Sequence, residues 1–152
     1  MLIAPHFLVG AAIAVYAPEA LPAAGLAALT SHFVLDSIPH RDMIGEIHIT
    51  PSNVIMELFD AVVAAVLFIR FIPESLRTYA LLIGGVAILP DLLALPSLFF
   101  PRWYQLPVVK QLHNWHTKTL QANNQKMNWF WGLLLQVLVA IAAVYLIVTK
   151  PL

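Results

Sequence analysis

Residues 31–40 read SHFVLDSIPH, and in them His32, Asp36 and His40 recur at intervals of four. On a helix that spacing stacks side chains on one face about 5–6 Å apart, close enough for an imidazole and a carboxylate to share one cation. Pro39 ends such a helix, because the residue before a proline is pushed out of the helical region. His40 is thereby freed to swing back over the helix end. His113 and His116, in LHNWHTK, stand three apart and put two more imidazoles on one side of a helical turn. His6, Glu57, Asp60 and Asp91 lie near the ends of apolar runs. A mixed His/Asp set suits zinc, manganese or iron more than calcium, and one or two divalent ions held this way could activate water and neutralise phosphoryl oxygens.

These residues must be positioned by elements of an unusual kind. Of the 152 residues, 61% are hydrophobic and 11% charged, against about a quarter charged in a soluble domain. The apolar residues fall into five blocks, Leu2–Ala17, Ala20–Ile38, Val54–Ile72, Thr78–Leu95 and Asn128–Val148, each near the roughly 20 residues that cross a bilayer. The expected architecture is one all-α domain over residues 1–152, a polytopic integral membrane bundle of about five transmembrane helices. The first block is short, so it is expected to lie obliquely or partly inside the protein. Lacking a positive stretch before its apolar run, it reads as a first span rather than a signal peptide. Trp103, Tyr104, Trp115, Trp129 and Trp131 read as an interfacial aromatic belt.

An alternating path places both long connections, Pro39–Asn53 and Pro96–Met127, on the same side as the N-terminus. That side carries Arg41, Arg102, Lys110, Lys118 and Lys126, against Arg70, Arg77 and Lys150 opposite. The positive-inside rule then makes it cytoplasmic, in a prokaryotic plasma or inner membrane. His6, His32, Asp36, Glu57, Asp60, Asp91, His113 and His116 all fall toward this one face. Charge at membrane depth is costly and usually marks function. A faint echo links VLDSIPH, closing the second block, to ILPDLLALP, closing the fourth; each sets an Asp beside a Pro.

Plainer roles stand beside these. His6 and His48 read first as interfacial or satisfied histidines, Glu57 as a partner of its helix dipole, and Arg41 with Asp42 as a solvated loop. Gly84-Gly85 reads as close helix packing. Equal numbers of acidic and basic residues exclude the basic face that nucleic acid needs, and the absence of Cys removes thiolate chemistry. No H-E-x-x-H, G-x-S-x-G or phosphate-binding glycine loop is present.

The H-x3-D-x3-H of SHFVLDSIPH resembles a stretch of the all-helical zinc-dependent phospholipase C and nuclease group, where the His and Asp bind zinc in a multinuclear site. Over nearly its full length the chain looks more like the small bacterial and archaeal membrane-bound metal-dependent hydrolase family. The likeness lies in an early H-x3-G (His6 to Gly10), the Ser31–His40 stretch, an LPD (Leu89 to Asp91) and a closing His pair (His113, His116). The soluble zinc enzymes also have an H-x3-E pair that this chain lacks.

The leading expectation is a metal-dependent hydrolase of a lipid-linked phosphoester at the membrane interface. His32, Asp36, Asp60, Asp91, His113 and His116 would hold zinc, with His40 or His6 completing the set. Glu57 would act as general base, and Arg41 or Lys118 would meet the phosphate. Two alternatives are a metal-binding transporter or assembly subunit, and a structural membrane protein whose His and Asp residues pair only with one another.

Overall fold

The computed structural model describes residues 1–41, 51–93, 96, 100, 102–121, 124 and 127–150, without the side chains of 51–53. His48, Asp42 and Lys126 lie outside the described residues. Among those described, all regular structure is helical. The elements are α1 (Ile3–Tyr16), α2 (Leu21–Ser37), α3 (Pro51–Phe71), α4 (Arg77–Leu92), α5 (Pro107–Trp115) and α6 (Trp129–Thr149). The five expected apolar blocks correspond to α1, α2, α3, α4 and α6. The continuous helical run Glu74–Leu92, which leads into α4, and α6 are long and apolar enough to cross a membrane.

The shortest of the five, α1 with 14 residues, is the central one. It packs against α2, α3, α4 and α6, and Leu8, Ala11, Ala14 and Val15 are wholly buried. This is the inward placement expected from its length. Small residues make the packing close: a Cβ on Gly10 would lie 2.7 Å from the Ala87 Cβ and 2.9 Å from the Gly84 Cα of α4. Gly84 in turn receives the Phe7 ring, whereas Gly85 faces open space. Only one of the adjacent glycines therefore does the packing expected of the pair.

Contacts along α1 give the directions of its neighbours. At its C-terminal end, Tyr16 donates to the Leu146 carbonyl of α6, and the Ala17 carbonyl accepts from Tyr79 of α4. At its start, the Leu2 amide donates to Gln136 of α6 and the Ala4 amide to Asp60 of α3. The beginning of α1, the first halves of α3 and α6 and the ends of α2 and α4 thus meet around the polar residues.

The connection between α4 and α6 holds an element that apolar patterning did not reveal. Pro107 starts α5, its missing N–H costing nothing in a first turn. A π-helical turn, His116–Leu120, follows directly.

A buried histidine and aspartate cluster

Asp36 is the hub of the polar end. It sits in the last turn of α2, which stops at Ser37 as Ile38 turns extended ahead of Pro39,. The carboxylate is wholly buried. Its Oδ1 lies 3.1 Å from His6 Nε2, 3.7 Å from His40 Nε2 and 2.8 Å from the Met1 nitrogen. Its Oδ2 lies 3.2 Å from His32 Nε2 and makes a short contact with His116 Nε2. Four imidazoles from three parts of the chain therefore converge on one carboxylate.

His32 is held from behind. Its Nδ1 is 2.8 Å from the Ala87 carbonyl of α4, an acceptor only, so Nδ1 donates there and Nε2 is the nitrogen turned toward the cluster. Pro90, three residues on, has no N–H for the helix ladder, and the carbonyl this leaves without a ladder donor is that of Val86, next to Ala87,. His32 Nε2 faces Asp36 Oδ2 at 3.2 Å and Asp91 Oδ1 at 3.6 Å and makes no hydrogen bond in the buried interior. A buried nitrogen facing two carboxylate oxygens is satisfied by positive charge among them, either a proton on the ring or a metal ion. A backbone carbonyl that fixes a histidine tautomer from behind is also the usual support of a metal-binding imidazole.

His32, Asp36, Asp91 and His116 each offer one donor atom, and these four atoms lie within 4.8 Å of one another. The group can hold a metal ion. Asp91 comes from the last turns of α4 and is 31% exposed, which makes it the cluster's opening toward solvent. The two Asp–Pro segments that echo each other in sequence thus supply carboxylates to the same group.

The remaining expected residues have distinct settings. His6 stacks on His32 with ring centroids 4.1 Å apart and is wholly buried, so it is no interfacial residue. Its Nε2 reaches Asp36 while its Nδ1 finds no hydrogen-bond partner. His40 does turn back over the end of α2. Its Nδ1 donates to the Ile38 carbonyl at 2.6 Å, and its Nε2 accepts from Asn124 at 2.9 Å. Asp60 is nearly buried but uses Oδ2 to accept the Ala4 amide at 2.6 Å, at the start of α1 rather than in the four-donor group. Glu57 is half-buried one turn earlier on α3.

His113 does not accompany His116. It packs against the Tyr104 ring at 4.6 Å. Burial first, then the neighbouring His116 and Lys118, hold its imidazole below the ordinary value. The i, i+3 pairing fails because the α-helix ends at Trp115 and the π-helical turn reorients His116. Such turns occur often at functional sites. Arg41 lies with its guanidinium 4.9 Å from the centroid of the Trp129 ring, and its carbonyl accepts from Gln136. Close packing of its backbone on Gly132, where a Cβ would come within 2.6 Å, keeps this segment against α6. Gln136 and Asn124 were missed by sequence reasoning. A lone Gln about two turns inside an otherwise apolar helix was the available signal for the first,, and no local pattern marks the second.

Compared with known proteins, the chain matches no family model, no curated sequence and no solved structure. The likeness noted above rests on the motifs alone.

Proposed function

We propose that this chain is a membrane-embedded, metal-dependent hydrolase acting on a lipid-linked phosphoester at one face of the bilayer. One observation carries the reading: His32 Nε2, oriented by the Ala87 carbonyl behind the ring and turned toward Asp36 and Asp91 beside His116. Two imidazoles and two carboxylates suit zinc, with manganese or iron as alternatives. The other oxygen of Asp36 faces His6 and His40, which would hold the carboxylate in place beside the ion.

The membrane setting is supported by what the bundle leaves uncovered. Only 22% of each apolar window, in Glu74–Leu92 and in Trp129–Thr149, is buried. Outward residues on α3 (Ile55, Leu58, Val62, Val66, Ile69) recur at helical spacing and are more than half exposed. An aqueous surface of that kind would be an aggregation hazard; in lipid it is the expected exterior. We therefore read α2, α3, α4 and α6 as spans around α1, a five-helix membrane bundle with the cluster toward the cytoplasm.

Bound at the cluster, a divalent cation would lower the pKa of a water and neutralise phosphoryl charge. The chain's own groups do the rest. His32 and His116 present nitrogen donors in fixed orientations, and Asp91 holds the side that solvent and substrate reach. Arg41, kept over Trp129 beside His40, meets the phosphoryl oxygens. Glu57 takes the proton as general base.

The test is elemental mass spectrometry of detergent-purified protein, with phosphoester-lipid hydrolysis measured in parallel. The wild type should carry about one or two zinc or manganese ions per chain, lost together with hydrolysis in the His32→Ala/Asp36→Ala variant. A metal-free wild type after reconstitution would sink the hydrolase and leave the cluster a structural polar hub.

A further inference from the structure

Between α1, α3 and α6 lies a cavity of about 300 Å³, within the range of small-ligand sites. Leu2, Asp60, Leu133 and Gln136 form one end, and Leu67 and Val144 the other. Asp60 and Gln136 are its polar lining residues, and both are occupied. Asp60 accepts the Ala4 amide, while Gln136 accepts the Leu2 amide and donates to the Arg41 and Gly132 carbonyls. What remains open to an occupant is aliphatic.

Length and direction narrow the occupant further. From residue 133 to residue 144, α6 rises about 16 Å at 1.5 Å per residue. That is close to one leaflet, half of a hydrocarbon core of about 30 Å. The cavity opens between the apolar faces of α3 and α6, where Val62, Val66, Val137 and Ile141 are more than half exposed. Its polar end adjoins the metal-binding cluster, since Leu2 lines the cavity and the preceding residue reaches Asp36 at 2.8 Å.

We infer that this groove holds one acyl chain of a membrane glycerophospholipid whose headgroup lies at the His/Asp cluster. The inference rests on the hydrolase reading for the headgroup's fate, but the chain-binding groove is testable without catalysis. An acyl chain there anchors a phosphoester at a fixed depth, so that its headgroup is delivered to Asp91 and the cluster's solvent side. Chain length then becomes a determinant of substrate choice, through the reach of the groove.

The experiment uses the full chain in vesicles containing phosphatidic acid with a diazirine in mid-chain. After photolysis, crosslinked positions are mapped by peptide mass spectrometry, and metal content is measured on the same samples. Crosslinks should concentrate at residues 133–144 and 60–67. They should fall several-fold in Ala140→Trp, which fills the groove, and in Val137→Trp, whose half-exposed site at the rim tolerates bulk without repacking the core. Labelling spread evenly over outward residues such as Phe59, Leu82 and Val148, or unchanged by both variants, would overturn the groove assignment. Groove-specific labelling in metal-free protein would uphold the groove and sink the hydrolase; even labelling in metal-loaded, active protein would do the reverse.

Discussion

At the residue scale, the cluster is defined by which nitrogen of each histidine carries its proton. The Ala87 carbonyl fixes a proton on Nδ1 of His32 and the Ile38 carbonyl one on Nδ1 of His40, in each case leaving Nε2 as the nitrogen that faces Asp36. His6 differs, because its contact with Asp36 is made by Nε2 and its other nitrogen has no hydrogen-bond partner. It acts through Asp36 by orienting the carboxylate. Replacing it with a ring of similar shape, His6→Phe, is expected to weaken metal affinity about 10–100-fold, the usual cost of losing an outer-shell partner, as read by competition with a chelator. Asp36→Asn, which removes the hub's charge, should abolish stoichiometric metal altogether. Glu57→Gln should leave metal content intact and lower kcat about 100-fold or more, the usual contribution of a general base; an unchanged kcat would remove Glu57 from the mechanism.

At the element scale, the site depends on how closely α1 and α4 approach. Gly10 faces Ala87 and Gly84 with no room for a methyl group, and Ala87 also supplies the carbonyl that fixes His32. Gly10→Ala should therefore cost about 1–3 kcal/mol through overpacking and weaken metal binding as well, because α4 must move. Gly25 and Gly85 have nothing within 4 Å of an added Cβ. Alanine at either should be neutral or stabilise by up to about 1 kcal/mol through helix propensity, with metal binding unchanged. Thermal unfolding in detergent, read beside metal affinity, separates the two classes. The sequence marked Gly84-Gly85 as one packing feature, but a helix face is decided by rotation. Adjacent residues lie about 100° apart at 3.6 per turn, so one faces Phe7 while the other faces outward.

At the scale of the whole molecule, the polar groups gather at one end of a bundle whose flanks are apolar. Outward side chains on α6, among them Val137, Ile141, Tyr145 and Val148, are half or more exposed. An Ile141→Arg substitution should lower membrane insertion, since arginine near mid-bilayer costs about 2.5–3.5 kcal/mol on insertion scales. The chain contains no Cys, so single cysteines report sidedness cleanly. Arg102→Cys, near the polar end, should react with an impermeant thiol reagent only from the cytoplasmic side, and Ser75→Cys only from the other. Labelling of both from one side would refute the topology.

Much of this was legible in the amino-acid order. Apolar blocks of near-spanning length located five of the six α-helices among the described residues, because burial in lipid or protein demands unbroken apolar runs wherever it occurs. The i, i+4 spacing and Pro39 sufficed for His32, Asp36 and His40, since helical geometry and the proline restriction act locally. Asp91 and His116 were rightly suspected as neighbours of that trio, yet their meeting is tertiary: α4 must cross α2, and a π-helical turn must aim His116. His113 and Asp60 carried the same chemistry in sequence and went elsewhere, to the Tyr104 ring and the start of α1. Residue type and spacing determine which groups are able to bind an ion. Only the packing of helices distant in sequence decides which of them face one another, because that choice depends on helix rotation and close approach, and no local pattern encodes either.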